Sequence, residues 1–114
     1  MEHVSLGEVV DELLADAHRA PAGRAARTVH GGHEHALRQT LIALTEGHGL
    51  DEHESPGEAT LHVIEGRVRL SNNEASWEGS PGDHLVIPRT RHRLDALADS
   101  AVLLTVVKPV GPHV

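Results

Sequence analysis

Histidine is the residue from which chemistry is most readily built in this chain, which has eleven of them in 114 residues and no cysteine. Imidazole is the commonest protein metal ligand and the side chain that titrates nearest neutral pH. Two stretches set it among carboxylates and turn residues. The first is Gly49-Leu-Asp-Glu-His53-Glu-Ser-Pro-Gly-Glu58, continuing through Ala59-Thr-Leu-His-Val-Ile-Glu65-Gly66. The second is Gly82-Asp83-His-Leu-Val-Ile87-Pro88-Arg-Thr-Arg-His92. A third, His33-Glu-His35-Ala-Leu-Arg-Gln39, places two histidines and a carboxamide at similar spacing. Other catalytic signatures are missing: there is no Gly-x-Ser-x-Gly, no phosphate-cradling Gly-x4-Gly-Lys-Ser and no His-Glu-x-x-His.

Composition removes several classes of function. Ten Lys and Arg against seventeen Asp and Glu give a net charge of -7, the wrong sign for a phosphate backbone. One Trp, with no Phe or Tyr, offers no stacking platform for bases. The expectation is therefore no nucleic-acid partner. Without cysteine there is no disulfide, thiolate nucleophile or iron-sulfur cluster, which fits a cytoplasmic location. The longest apolar run, Val102 to Val107, is broken by Thr105 and too short to span a bilayer, so no membrane partner is expected.

The elements that must hold the histidines follow from periodicity. Ser5-Leu-Gly-Glu8 has the spacing of a capping box, and Val9, Val10, Leu13, Leu14 and Ala17 recur at helical intervals, predicting a helix over about 5–19. Pro21 ends it. From about residue 25 to 108 the pattern becomes short β-like runs, near 27–30, 35–45, 59–65, 67–71, 75–78, 84–87, 91–96 and 101–107. Gly31-Gly32, Ser55-Pro-Gly57, Glu65-Gly66, Ser71-Asn-Asn73 and Ser80-Pro-Gly82 punctuate them. Residues 1–114 read as one domain with an aliphatic core, and Gly111 to Val114 as a loose tail. Alternation puts Ala59, Leu61 and Val63 on one strand face, toward the core, and Thr60, His62 and Ile64 on the other.

The two Gly-to-His stretches, 49–66 and 82–92, resemble the first and second motifs of the cupins. The resemblance implies an all-β double-stranded β-helix, a jelly-roll barrel, here with one N-terminal α-helix, and often a homodimer. In many members histidines and a glutamate from these motifs bind a divalent metal inside the barrel. Counted back from Gly66, His53 takes the first His position, Ser55 stands at the second, and Ala59 at the Glu position with Glu58 one residue earlier. In the second motif Gly82 and Pro88 are kept, Thr90 replaces a Gly, and His92 follows. The implied metal ligands are His53, His92 and Glu58, for one divalent ion (Fe, Mn, Ni or Zn). Two imidazoles alone make a weak or water-rich site.

The expected pocket is lined by His35, Gln39, Leu61 and Val63, with His35 and Gln39 on one strand face beside Leu37 and Leu41. The remaining single histidines, His3, His18, His48, His84 and His113, read as solvated. The arginines from Arg67 to Arg93 read as a salt-bridged face. The expected function is a small-molecule binding module on a partly depleted His site. The alternative is a metal-dependent enzyme, a small-molecule dioxygenase or isomerase.

Overall fold

Ser5 opens the helix as its spacing predicts: its hydroxyl oxygen accepts the Glu8 backbone N–H at 3.4 Å, and α1 runs Leu6–Arg19. The computed structural model describes residues 2–54 and 57–108. Val9, Val10, Leu13 and Ala17 form the buried stripe of α1 and pack on Leu41, Ala43 and Ala101. Beyond Arg19, Ala20 is extended and the chain enters the first strand.

The strands are β1 (Arg24–His30), β2 (Leu37–Leu44), β3 (Gly49–His53), β4 (Glu58–Glu65), β5 (Val68–Ser71), β6 (Ser76–Gly79), β7 (His84–Val86), β8 (His92–Ala96) and β9 (Ser100–Val107). They form two antiparallel sheets, ordered β1-β2-β9-β4-β7 and β3-β8-β5-β6. Every connection changes sheet except the β1–β2 and β5–β6 hairpins, which is how a jelly roll is wound. The expected all-β barrel with one N-terminal helix is therefore the observed architecture. β3 is the strand that the sequence pattern does not predict. It has one apolar residue, Leu50, and its register shifts between Leu50 and His53, so it shows no alternation.

Two cores result. Between the sheets lie Ile42, Leu44, Ala59, Leu61, Val63, Val68, Leu70, Leu94, Ala96 and Val102. The second lies outside the barrel, where α1 covers one part of the five-stranded sheet. Strand parity assigns residues to one or the other: on β2, Ile42 and Leu44 enter the barrel while Leu41 and Ala43 meet the helix.

The two glycines that bracket the first motif have steric reasons. Gly66 turns the chain from β4 to β5 at φ +83, where a Cβ would also overlap the Asp99 carbonyl oxygen and the Ser100 hydroxyl. Gly49 lies against β8 so closely that a Cβ would overlap the Leu94 carbonyl oxygen. No helix among the described residues is long and apolar enough to cross a membrane.

Candidate functional site: a histidine pair at an aliphatic cavity

β8 aims His92 by simple alternation: His92, Leu94 and Ala96 are buried on the inner face, and Arg93 and Asp95 pair with each other on the outer one. His53 is aimed by an irregularity. Leu50 is opposite Leu94 and His53 opposite His92, so three steps along β3 match two along β8. This extra residue is a β-bulge, and it puts Leu50 and His53 on the same side although their separation is odd. Arg91 braces the segment by donating to Glu52 at 3.2 Å and Glu54 at 3.1 Å.

The imidazoles meet edge to face, with centroids 4.6 Å apart and planes inclined by 65°. His53 Nδ1 lies 2.9 Å from the Asp51 carbonyl oxygen, and His92 Nδ1 lies 2.8 Å from that of Thr90. A carbonyl only accepts, so each Nδ1 must carry the proton and donate. Each Nε2 of the neutral ring is then a bare lone pair. His53 is exposed at the rim, whereas His92 is only 2% exposed. Among the described residues, His92 Nε2 has no hydrogen-bond partner. A buried acceptor left so costs about 1–3 kcal/mol unless something satisfies it.

The rings border a cavity of about 40 Å³, walled by Ile42, Leu50, Leu61, Leu70, Ile87, Leu94 and Leu104. One water needs roughly 10–15 Å³, and pockets for drug-sized ligands run to about 300–1,000 Å³. The space suits a small group.

The expected site residues separate in this geometry. His53, His92 and Leu61 come together at the cavity. Val63 is fully buried in the same core without lining the cavity. Glu58 starts β4 on the exposed face opposite buried Ala59, so parity carries its carboxylate away from the histidines. Ser55 lies outside the described residues. His35 and Gln39 lie away from the cavity wall. Gln39 shares the face of Leu41, which points to the helix side, and donates to Thr105 Oγ1 at 3.2 Å. His35 precedes β2, exposed, with its ring 4.9 Å from that of His30. Sequence reasoning missed Ile42, Leu50, Leu70, Ile87, Leu94 and Leu104. For Leu104 the available signal was alternation with Val102 and Val106 along β9.

The family's enclosing metal set is not assembled. Among the described residues, no group of three or more His, Cys, Asp or Glu could hold a metal ion. Two imidazole donors facing an aliphatic wall do not fit such a centre.

Of the single histidines, His18 and His48 have partners. His18 Nε2 lies 2.7 Å from Asp99 Oδ2, and His48 Nδ1 lies 2.9 Å from Thr45 Oγ1. His84 pairs across strands with His62 on the outer face, and His113 lies outside the described residues. The arginines form the expected ion-paired face: Arg67 and Arg69 converge on Glu78, whose carboxyl the Arg69 hydrogen bond holds below its usual range.

A helix-capped jelly roll with a histidine pair at its interior cavity is the class of protein these features define. The chain matches no protein-family model and no curated protein. Its fold does have close structural parallels. An RmlC-like cupin protein from Desulfovibrio desulfuricans superposes with TM-score 0.71 at 24% identity, over 94% of this chain and 96% of that one. A conserved protein of unknown function from Streptococcus pyogenes gives 0.70 at 24% identity, over 96% and 91%. Salicylate 1,2-dioxygenase from Pseudaminobacter salicylatoxidans gives 0.73 at 20% identity over 88% of this chain, which spans 33% of that larger one. The chain has the fold of a small cupin domain.

Proposed function

We propose that the chain is a binding module that holds a small molecule inside its barrel, on the Nε2 atoms of His53 and His92. The observation that carries this reading is His92, a residue only 2% exposed that lines the aliphatic cavity and whose Nε2 has no partner among the described residues. A protein stabilised only for folding has no use for such an acceptor, because an apolar side chain there would avoid its desolvation cost. Fold alone selects no reaction, since one scaffold hosts many.

A metal-dependent enzyme, a dioxygenase or isomerase using Fe, Mn, Ni or Zn, is the second reading. The two bare Nε2 lone pairs favour it, because neutral imidazole with its other nitrogen tied to a carbonyl is how histidine ligates metals. The lack of a third donor among the described residues weighs against it. Plasma mass spectrometry of untagged protein, purified without a metal column, separates the two when wild type is compared with His53→Ala, His92→Ala. Near-stoichiometric metal that vanishes in the variant supports the enzyme. Metal-free protein whose small-molecule binding vanishes in the variant supports the module, and unchanged binding moves the site elsewhere.

The same reading includes a homodimer in the cytoplasm. Leu37, Val86 and Val107 are exposed, and strand pairing sets them on the outer face of the five-stranded sheet. Light scattering on the purified protein tests the dimer, with a monomeric mass as the refuting result.

A further inference from the structure

We infer that the ligand is a small neutral alcohol, and that a vicinal diol suits the site best; this rests on the binding-module reading above. The argument is one of hydrogen-bond inventory. Both ring N–H groups are spent on the Asp51 and Thr90 carbonyls, so the histidines present lone pairs and no donor. Among the described residues the remaining wall is all Ile and Leu.

An anion is therefore the wrong guest. A carboxylate or phosphate would lose its water and meet two lone pairs. A cation finds the right partners in the two acceptors but no countercharge, since among the described residues the cavity wall has no carboxylate. The acidic residues nearest in sequence, Glu52 and Glu54, are exposed and already bonded to Arg91. Burying an unpaired ammonium is far more costly than burying a hydroxyl whose proton is accepted. A neutral hydroxyl gives what the site lacks, a donor without charge. Two adjacent hydroxyls give one donor to each Nε2, and the cavity of about 40 Å³ limits the carbon body to a few atoms.

The test uses the full chain labelled with nitrogen-15, titrated at neutral pH with propane-1,2-diol, propionate or propylammonium. The readout is the Nε2 chemical shift of His53 and His92. The expected result is a saturable shift of both signals with the diol alone, and diol affinity about twofold to tenfold weaker in His53→Leu, the loss of one hydrogen bond. His53 is exposed, so this variant keeps its fold. Saturation by propionate or propylammonium and not by the diol overturns the alcohol inference and leaves the binding module standing. If no probe moves either signal, water alone satisfies the pair, and the inference and the module reading fall together.

Discussion

His53 and His92 are cross-strand partners built on one local device: each ring donates its Nδ1 proton to the backbone carbonyl two residues before it, Asp51 within β3 and Thr90 just ahead of β8. The device fixes both tautomers alike without help from any distant side chain. It also explains how one imidazole is kept oriented in a core with so few polar atoms and a second at the rim of its cavity. The group that orients each imidazole is here the main chain itself.

One consequence concerns stability. His92→Leu removes a buried acceptor worth about 1–3 kcal/mol of desolvation, and the Thr90 carbonyl it releases belongs to an exposed residue that water can reach. The variant is expected to be about 1 kcal/mol more stable than wild type while losing ligand binding. Urea unfolding checks this: the midpoint should rise with an unchanged slope, and a fall would mean that the imidazole is structurally needed.

Helix docking and cavity chemistry should separate. Leu13 is 2% exposed and belongs to the core between α1 and the outer face of the sheet, apart from the residues that line the cavity. Leu13→Ala is expected to destabilise by about 2–4 kcal/mol through the cavity it leaves. Ligand affinity at a temperature where the variant remains folded should stay within twofold of wild type.

Gly49 links backbone packing to the site. A methyl group there would overlap the Leu94 carbonyl oxygen and lie 3.1 Å from Asp95 Cα. Gly49→Ala therefore forces β3 away from β8, costs about 1–3 kcal/mol, and disturbs the register that sets His53 opposite His92. Both the melting temperature and the affinity should drop. A loss of stability with full affinity would show that the histidine pair does not depend on that register.

The turn before β9 predicts a pH effect. Asp99 accepts the Glu46 backbone N–H at 2.9 Å and lies 2.7 Å from His18 Nε2, which ties the end of α1 to the barrel. The Glu46 hydrogen bond first, and His18 after it, hold the Asp99 carboxyl below its ordinary value of 3.8. The folded state therefore gains from the ionised form. That gain is present in full above the ordinary value and disappears as pH falls through the lower, folded one. Asp99→Asn should cost up to about 1 kcal/mol at neutral pH, as expected for an exposed pair. Its difference from wild type should shrink in acid, measured by unfolding at a series of pH values. A difference that does not change with pH would refute the assignment.

Local signals carried much of this architecture. The Ser5–Glu8 spacing marked the start of α1, and alternation marked Ala59, Leu61 and Val63 as the inner face of β4. The two motifs brought His53 and His92 to notice from opposite sides of a long stretch of chain. What failed was whatever depends on a neighbour in space. The parity of β2 is legible, but which face is interior depends on where α1 docks, and that docking is what sets Gln39 on the helix side. Both faces of β2 are apolar at Leu41, Ile42, Ala43 and Leu44, which leaves the pattern without a preference. β3 was hidden because its ladder is interrupted and Leu50 is its one large apolar residue. Glu58 starts β4, and the alternation this imposes sets it on the face opposite Ala59.

The extra residue in β3 has a genetic meaning. The inward aim of His53 depends on chain length between it and Leu50, and no substitution reproduces it. Loss of a single codon there would turn the imidazole to solvent and carry its neighbour inward, changing the lining of the barrel in one event. Descendants of such a barrel would differ most in chemistry where they differ least in composition, and their sequences would align correctly only with a gap between Leu50 and His53.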